Sequence, residues 1–215
     1  ALKRLGGPPA IVSPGVWLKR YPCCASTHRA VDAVIAMMRD HGLAAQDISR
    51  VDTLVSEPAV RNLMYVVPHD EMQARFSMAY CVAAAALDRD LRLGTFRRSA
   101  IGRPDIAAFL GRVTMTLDPE QPGDMPATVK SWATSVITTS DGRSFSSKVV
   151  DPIGYPDNPL SEPELQAKFE DCASAQGSGM TGSYGGWREI AKAAKVRPLC
   201  AGLRTARTQV EQRHE

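Results

Sequence analysis

Residues 19–28 concentrate most of the chemistry that this 215-residue chain offers. The segment holds two cations, Lys19 and Arg20, together with the phenol of Tyr21, two thiols and the imidazole of His28. A helix is predicted to begin at its end, and the first N–H groups of a helix bind anions because they lack internal partners. The segment therefore predicts a carboxylate cradle beside a neutral histidine that can accept a proton. A loop whose lysine and histidine are merely solvated explains the same residues equally well.

The adjacent cysteines permit two interpretations. Cys23 and Cys24 can supply a nucleophile at a helix N-terminus, where a thiolate is favoured, but we favour burial as small apolar side chains. Together with His28 they offer three metal ligands and no second cluster, which argues against a metal site. Five cysteines are an odd number for a disulfide framework, so we expect a reduced, cytoplasmic protein.

A predicted helix follows this cluster and must position it. Apolar residues recur at helical spacing from Val31 to Met38, Ser26 or Thr27 can cap the start, and Gly42 marks the end. The regular apolar stripe indicates a helix that packs on a core.

A second helix is predicted to begin at Asp70, where Gln73 completes a capping box. Its apolar face runs through Phe76 and Tyr80 to Leu87. Tyr80 is by default a core tyrosine that needs a hydrogen-bond partner, and a proton donor is the alternative.

The remaining pattern predicts a sheet. Pro104–Leu110 is typical of a short helix, Asp141-Gly142 of a hairpin turn, and Ser161 with Glu164 of a capping box that opens a last helix. That helix is expected to bury Leu165, Phe169 and Cys172. The order predicts an α+β fold with about four mostly antiparallel strands and helices on one face. The predicted strands are residues 51–55, 113–117, 129–137 and 145–150.

Composition and motifs exclude several classes of function. The net charge of +3 arises in the C-terminal tail, and no interleaved aromatics accompany it, so we expect no nucleic-acid partner. No apolar run approaches the roughly 20 residues of a membrane helix, so we expect no membrane partner. A G-x-G-x-x-G match at residues 177–182 follows a predicted helix instead of a strand and indicates a flexible loop.

Four motifs follow one another along the chain. The first, residues 19–24 with His28, carries the pattern K-x-Y-P-C-C followed by T-H. The others are the A-R-F-S-x-x-Y helix, a D-G-R hairpin and a G-x-P-x-N-P-L-S segment followed by K-F. Together they resemble the MmgE/PrpD family over roughly residues 5–175, and four motifs in order are far more specific than any one. The last three motifs lie at residues 73–83, 141–143 and 154–169.

The resemblance implies half of a two-domain protein. Family members are similar in having a large helical domain and a smaller α+β lid, with the active site between them. This chain resembles the lid half, so we expect a fragment, a separately encoded half or a remnant. The expected organisation is a lid-type domain at residues 1–160 and a C-terminal helical segment at 161–215, with a Gly-rich linker at 177–186.

The resemblance also implies an activity. The family includes 2-methylcitrate dehydratase, cis-aconitate decarboxylase and iminodisuccinate epimerase, which act on small polycarboxylates without a metal or other cofactor. The leading expectation is therefore the lid half of a dehydratase for a substrate such as 2-methylcitrate. A decarboxylase or an epimerase is the alternative within the family, and a non-catalytic interaction domain is the alternative outside it.

Roles for individual residues follow from the resemblance. We expect His28 to transfer a proton, Lys19 to bind a carboxylate or stabilise charge, and Tyr80 to assist. An isolated lid exposes apolar surface, so we expect a homodimer or pairing with a helical half. Substrate binding is expected at Arg20, Tyr21, Cys23 and Ser77.

Overall fold

The structure, a computed structural model, divides into two compact units. The first comprises residues 1–91 and 95–160, and the second comprises residues 92–94 and 161–215. The residues that the structure describes are 6–9, 11–13, 15–121, 131–175, 183–192, 195 and 197.

In the described part of the first unit, four strands form one sheet. They are β1 (Ile48–Val55), β2 (Val113–Leu117), β3 (Ala133–Thr139) and β4 (Ser144–Val149). The strand order is β2-β1-β3-β4, with β1 parallel to β2 and the other two pairs antiparallel. The α+β class with a mostly antiparallel sheet is thereby confirmed.

The hairpin predicted at Asp141-Gly142 joins β3 to β4. Gly142 adopts a φ of +87°, a conformation that glycine tolerates without steric cost. The Thr139 hydroxyl donates to Asp141 Oδ1 at 2.5 Å and closes the turn. Of the strand predicted at 129–137, residues 129 and 130 lie outside the described residues, and β3 begins at Ala133.

Helices of the first unit cover the inner face of the sheet. The longest of them lies against β3 and β4, and the fourth lies against β2. Val51, Val55 and Ile137 point inward and are fully buried beneath this layer. The helices are α1 (Ala25–Asp40), α2 (Glu57–Asn62), α3 (Glu71–Arg75), α4 (Met78–Asp88), α5 (Arg98–Ile101) and α6 (Pro104–Leu110).

The second predicted helix is divided in two, which corrects the sequence-based expectation. Asp70 caps α3 as predicted, since its Oδ1 accepts a hydrogen bond from the Gln73 amide at 2.8 Å. The helix nevertheless stops after Arg75, and Ser77 begins a new one by accepting from the Tyr80 amide at 3.1 Å. A serine hydroxyl competes with backbone carbonyls for N–H groups, which favours a new helix start at Ser77. The apolar spacing of the sequence continues across this break and therefore does not reveal it.

The second unit contains α7 (Glu162–Ala175) and α8 (Tyr184–Arg188) among its described residues. Glu164 Oε2 accepts from the Ser161 amide at 2.8 Å, the reverse half of the predicted capping box. The predicted buried face of α7 is wrong in its last member, because Leu165 and Phe169 are only half-buried and Cys172 is exposed. Across the described residues of both units, single 3₁₀ turns occur at Ala45–Asp47, Leu93–Phe96 and Ile190–Lys192.

The Gly-rich segment predicted as a linker at 177–186 is only partly described. Residues 177–182, with the G-x-G-x-x-G match, lie outside the described residues. The remainder enters α8, whose Tyr184 hydroxyl donates to Glu162 Oε1 at 2.8 Å. Arg188 Nε donates to the same carboxylate at 3.0 Å, so two side chains hold this turn against the start of α7.

Candidate functional site

The candidate site is built at the start of α1. Cys24 is the N-cap, in extended conformation and without a side-chain cap, so the predicted caps at Ser26 and Thr27 are wrong by two and three residues. The Cys24 amide donates to Arg75 O at 2.9 Å, which places the end of α3 beside the start of α1. The two stretches that sequence analysis singled out, 19–28 and 73–83, therefore meet here.

His28 lies in the first turn of α1 and is almost completely buried, with 1% of its surface exposed. Its ring packs edge-on against the Tyr21 ring at a centroid distance of 5.2 Å. Among the described residues, its Nε2 is a buried nitrogen without a hydrogen-bond partner. Such orphaned groups are rare in cores because losing water costs about 1–3 kcal/mol, so this atom calls for a functional explanation.

Two thiols and a hydroxyl lie next to His28. Cys23 Sγ is 3.1 Å from Thr27 Oγ1, and Cys81 Sγ donates to Ala74 O at 3.7 Å. Hydrogen bonds from Cys81 and then from His28 lower the pKa of the Cys23 thiol below its ordinary value. Complete burial raises the pKa of Cys81 well above its ordinary value. The cluster thus contains one thiol that ionises easily and one that does not.

A buried carboxylate fixes the loop that precedes α1. Asp32, one turn after His28, accepts from the Tyr21 hydroxyl at 2.7 Å through Oδ1 and from the Ile153 amide at 2.7 Å through Oδ2. Burial raises the pKa of Asp32, although both hydrogen bonds oppose that shift. Burial, and then the nearby Asp32 charge, raise the pKa of Tyr21 as well, so the phenol stays protonated.

Lys19 and Arg20 stand at the outer side of this loop. Lys19 is exposed, and its Nζ donates to Cys23 O at 3.3 Å, immediately before the helix start. The Arg20 guanidinium lies over the Tyr21 ring, 5.3 Å from its centroid, and Arg20 is half-buried. The structure therefore places Lys19, Arg20, Tyr21 and Cys23 around the α1 N-terminus, with Tyr21 and Cys23 buried.

Ser77 and Tyr80 are fully buried on α4. Besides capping the helix, the Ser77 hydroxyl donates to Val66 O at 3.4 Å. The Tyr80 hydroxyl donates to Thr95 O at 2.5 Å, and burial raises its pKa to about 12. The partner that a buried tyrosine needs is thus supplied by the backbone, as the default interpretation of Tyr80 expects.

Sequence analysis missed two members of the cluster. Asp32 stands four positions after His28 among apolar residues of α1, and a carboxylate on that buried face was a signal that was available. Cys81 had no such signal, because a cysteine in an alanine-rich helix is indistinguishable from a small core residue. Only the packing of α4 against α1 places it beside Cys23.

The structure also bears on metals and membranes. Within the described ranges, no group of three or more His, Cys, Asp or Glu side chains is arranged to hold a metal ion. In the same part of the chain, each helix is too short or too polar to span a membrane.

Comparison with known proteins adds the evolutionary context. The sequence model of the MmgE/PrpD C-terminal domain matches residues 21–179. The chain is 28% identical to human (Homo sapiens) cis-aconitate decarboxylase over 163 residues, which cover 74% of this chain and 33% of that protein. The mouse (Mus musculus) cis-aconitate decarboxylase is 28% identical over 166 residues, with the same coverage of 74% and 33%. The chain thus spans about a third of the length of these relatives.

Proposed function

The chain belongs to the MmgE/PrpD C-terminal domain family, and on that premise we propose that it is the lid half of a lyase for a small polycarboxylate. Elimination of water from a substrate such as 2-methylcitrate is the reaction expected from the sequence. It needs a base for the proton beside a carboxylate, an acid for the leaving hydroxyl, and positive charge that stabilises the enolate-like transition state.

The placement of Lys19 carries the proposal. Its exposed ammonium group is tethered to Cys23 O at 3.3 Å, next to the helix start. The helix dipole of α1 adds partial positive charge at the same place. Arg20 contributes a second cation on the same loop. An anionic substrate that approaches this end of α1 therefore meets two side-chain cations and a helix N-terminus.

His28 is the proposed proton-transfer group. Its Nε2 has no hydrogen-bond partner among the described residues, so it is the atom proposed to accept the proton from substrate. Because the imidazole is buried, a substrate reaches Nε2 only after neighbouring groups, such as the Tyr21 ring that packs against it, move aside. Tyr80 is proposed to assist as an acid, since its phenol is protonated at neutral pH and now donates to Thr95 O.

Four more residues are proposed to bind substrate. Arg20 is half-buried and able to contact a carboxylate at the loop surface. Tyr21, Cys23 and Ser77 are buried, so their contribution also depends on opening of the loop.

Decarboxylation of cis-aconitate is the second candidate, and the two relatives favour it. Both are named cis-aconitate decarboxylase, and each covers 74% of this chain. The same cations would then stabilise the charge that develops when carbon dioxide leaves. Epimerisation is a third reaction, and it changes only the handedness of the substrate.

A complementary half is the proposed partner. The chain spans 33% of the relatives' length, so most of such a protein lies outside the matched region. A helical half on a separate chain or on the same chain would complete the site, and a second copy is the alternative partner. A reduced, cytoplasmic setting is proposed from the odd number of cysteines in the sequence.

The test is an activity assay with three substrates, 2-methylcitrate, citrate and cis-aconitate, on the chain alone and with a helical half from the same source. Ultraviolet absorbance follows unsaturated product, and released carbon dioxide identifies decarboxylation. We expect activity only in the completed protein. Lys19→Ala should then lower kcat/KM about a hundredfold, because it removes a positive charge that stabilises the anionic transition state.

Two variants complete the assay. Lys148→Ala removes an exposed lysine that lies over Trp132 on the sheet, and kcat/KM should stay unchanged. His28→Gln keeps side-chain volume and should abolish most turnover without unfolding the protein. An unchanged turnover number for His28→Gln would remove the catalytic role of His28. Inactivity of the completed protein on every substrate would favour the interaction-domain alternative.

A further inference from the structure

Cys23 and Cys81 are brought together from distant parts of the chain. Cys23 belongs to the loop before α1, whereas Cys81 lies in the first turn of α4. They meet where α1 packs against α4, and each thiol affects the pKa of the other. Both are in the buried core, with 4% and 0% of their surfaces exposed.

Backbone contacts fix this juxtaposition independently of the thiols. The Cys24 amide donates to Arg75 O at 2.9 Å, so the cysteine loop runs beside the end of α3. Cys81 Sγ donates to the adjacent carbonyl, Ala74 O, at 3.7 Å. The residue after Cys23 and the thiol of Cys81 are thus held by two adjacent carbonyls, which brings the two cysteines to the same short stretch of chain.

The two thiols differ in reactivity, because a thiolate is the form that attacks an oxidant. Cys23 lies at the positive end of α1 and 3.1 Å from the Thr27 hydroxyl, and hydrogen bonds from Cys81 and His28 lower its pKa. Cys81 is deeper and its pKa is raised by burial. Cys23 is therefore the attacking thiol and Cys81 the resolving one.

We propose that Cys23 and Cys81 form a peroxide-responsive disulfide that links the loop before α1 to α4. The Cys23 thiolate attacks one oxygen of hydrogen peroxide, the O–O bond breaks, and hydroxide leaves with a proton to give water and a sulfenic acid. The Cys81 sulfur, losing its proton, then attacks the Cys23 sulfur, and the hydroxyl leaves as a second water. Two thiols are oxidised by two electrons and one peroxide is reduced to two waters.

The bond has a structural consequence for the candidate site. It removes the Cys23 thiol from its contacts with His28 and Thr27, and it ties the loop that carries Lys19 to α4. The linkage also closes a loop between residues 23 and 81, which restricts the unfolded chain and raises Tm. This inference concerns the thiols alone and does not depend on the reaction proposed for the family.

Peptide mapping of the peroxide-treated full chain, under non-reducing conditions, tests the proposal. We expect a peptide pair joined through Cys23 and Cys81 and lighter by two hydrogen atoms. Free thiols counted in denaturant should fall from the five in the sequence to three, apart from any loss at exposed Cys172. Reduction should restore both the thiols and the original Tm.

Variants assign the order of the two steps. In Cys81→Ser the Cys23 sulfenic acid should persist and be trapped by dimedone, whereas in Cys23→Ser residue 81 should stay unmodified. Cys24→Ser is the matched neighbour and should leave the cross-link intact. A bond between Cys23 and Cys24 would overturn the proposal, as would unreacted Cys23 and Cys81 at peroxide doses that oxidise Cys172, the exposed internal reference.

Discussion

At the scale of single residues, two opposing effects act on the pKa of Asp32. Its carboxylate accepts hydrogen bonds from Tyr21 and Ile153, which favour the charged form, while burial favours the neutral form. Arg20 and His28 also favour the charged form, yet burial is the largest effect and the pKa rises above its ordinary value. This buried carboxyl group nevertheless joins the loops of Tyr21 and Ile153 to α1.

Asp32 should make its own contribution to the pH dependence of stability. A carboxyl whose pKa is raised in the fold contributes stability that is fully present below the ordinary pKa of 3.8 and is lost as pH rises through the folded value. Asp32→Asn has no carboxyl group to ionise at this position, so its stability does not fall in this way as pH rises. The Tm of Asp32→Asn minus that of the parent protein should therefore become more positive between about pH 4 and pH 8, measured by circular dichroism.

Asp105→Asn provides the control of opposite sign. Asp105 is exposed, and its hydrogen bond from Arg103 lowers its pKa, so its contribution is present above the ordinary pKa and lost as pH falls. The corresponding Tm difference should become more negative as pH rises toward about 4 and should stay nearly flat between pH 4 and pH 8. An equally flat curve for Asp32→Asn above pH 4 would show that the pKa of Asp32 is not raised in the fold.

At the scale of elements, two loops hold one another beside the site. The Leu18 amide donates to Gly154 O at 2.9 Å, and the Trp17 ring stacks on the Tyr155 ring at 4.2 Å. Arg29 of α1 donates to Val150 O at 2.7 Å and secures the second loop. The position of Lys19, one residue after Leu18, therefore depends on a loop more than 130 residues further along the chain.

Gly154 is the residue that this contact depends on most. Its φ is +101°, and a Cβ at this position would lie 1.9 Å from Leu18 O. Gly154→Ala should therefore push the loops apart and destabilise the protein by about 3 kcal/mol, measured by urea unfolding. Quenching of Trp17 fluorescence should change, because the stacked Tyr155 moves away.

Gly142→Ala separates the backbone effect from the steric one. Gly142 has a similar φ of +87° in the hairpin, but a Cβ there would meet nothing within 4 Å. Gly142→Ala should lower the free energy of unfolding by about 1 kcal/mol, the cost of placing a non-glycine residue in the left-handed conformation alone. Equal losses in the two variants would mean that the contact between Leu18 and Gly154 contributes nothing.

Local signals predicted the elements better than the contacts between them. The hairpin at Asp141-Gly142 and the end of α1 at Gly42 follow from residues that tolerate positive φ, so the sequence predicted them directly. Sequence analysis did not predict the helix break before Ser77, because the apolar spacing continues through it. It did not predict the proximity of Cys23 to Cys81 either, since that arises only when α4 packs on α1.

At the scale of the whole molecule, several large apolar side chains are exposed to solvent. Val16, Trp17 and Leu18 precede the cation pair of the candidate site, and Val67 and Met72 lie before α4, all well exposed. Exposed apolar patches are typical of protein interfaces. The relatives are about three times as long as the matched region, which accounts for such a surface if their remaining part covers it.

Without a complementary half, the chain should cover this surface with a second copy or precipitate. We expect light scattering on the purified chain to give a dimer or larger species at micromolar concentration. Val67→Glu should shift the distribution toward monomer, because a charge in an apolar interface is costly to desolvate. Ser146→Glu, an exposed position on β4, should not shift it. A monomer at all concentrations would mean that the exposed apolar side chains between residues 16 and 72 do not form an interface in the isolated chain. The argument for a missing partner would then rest on the length of the relatives alone.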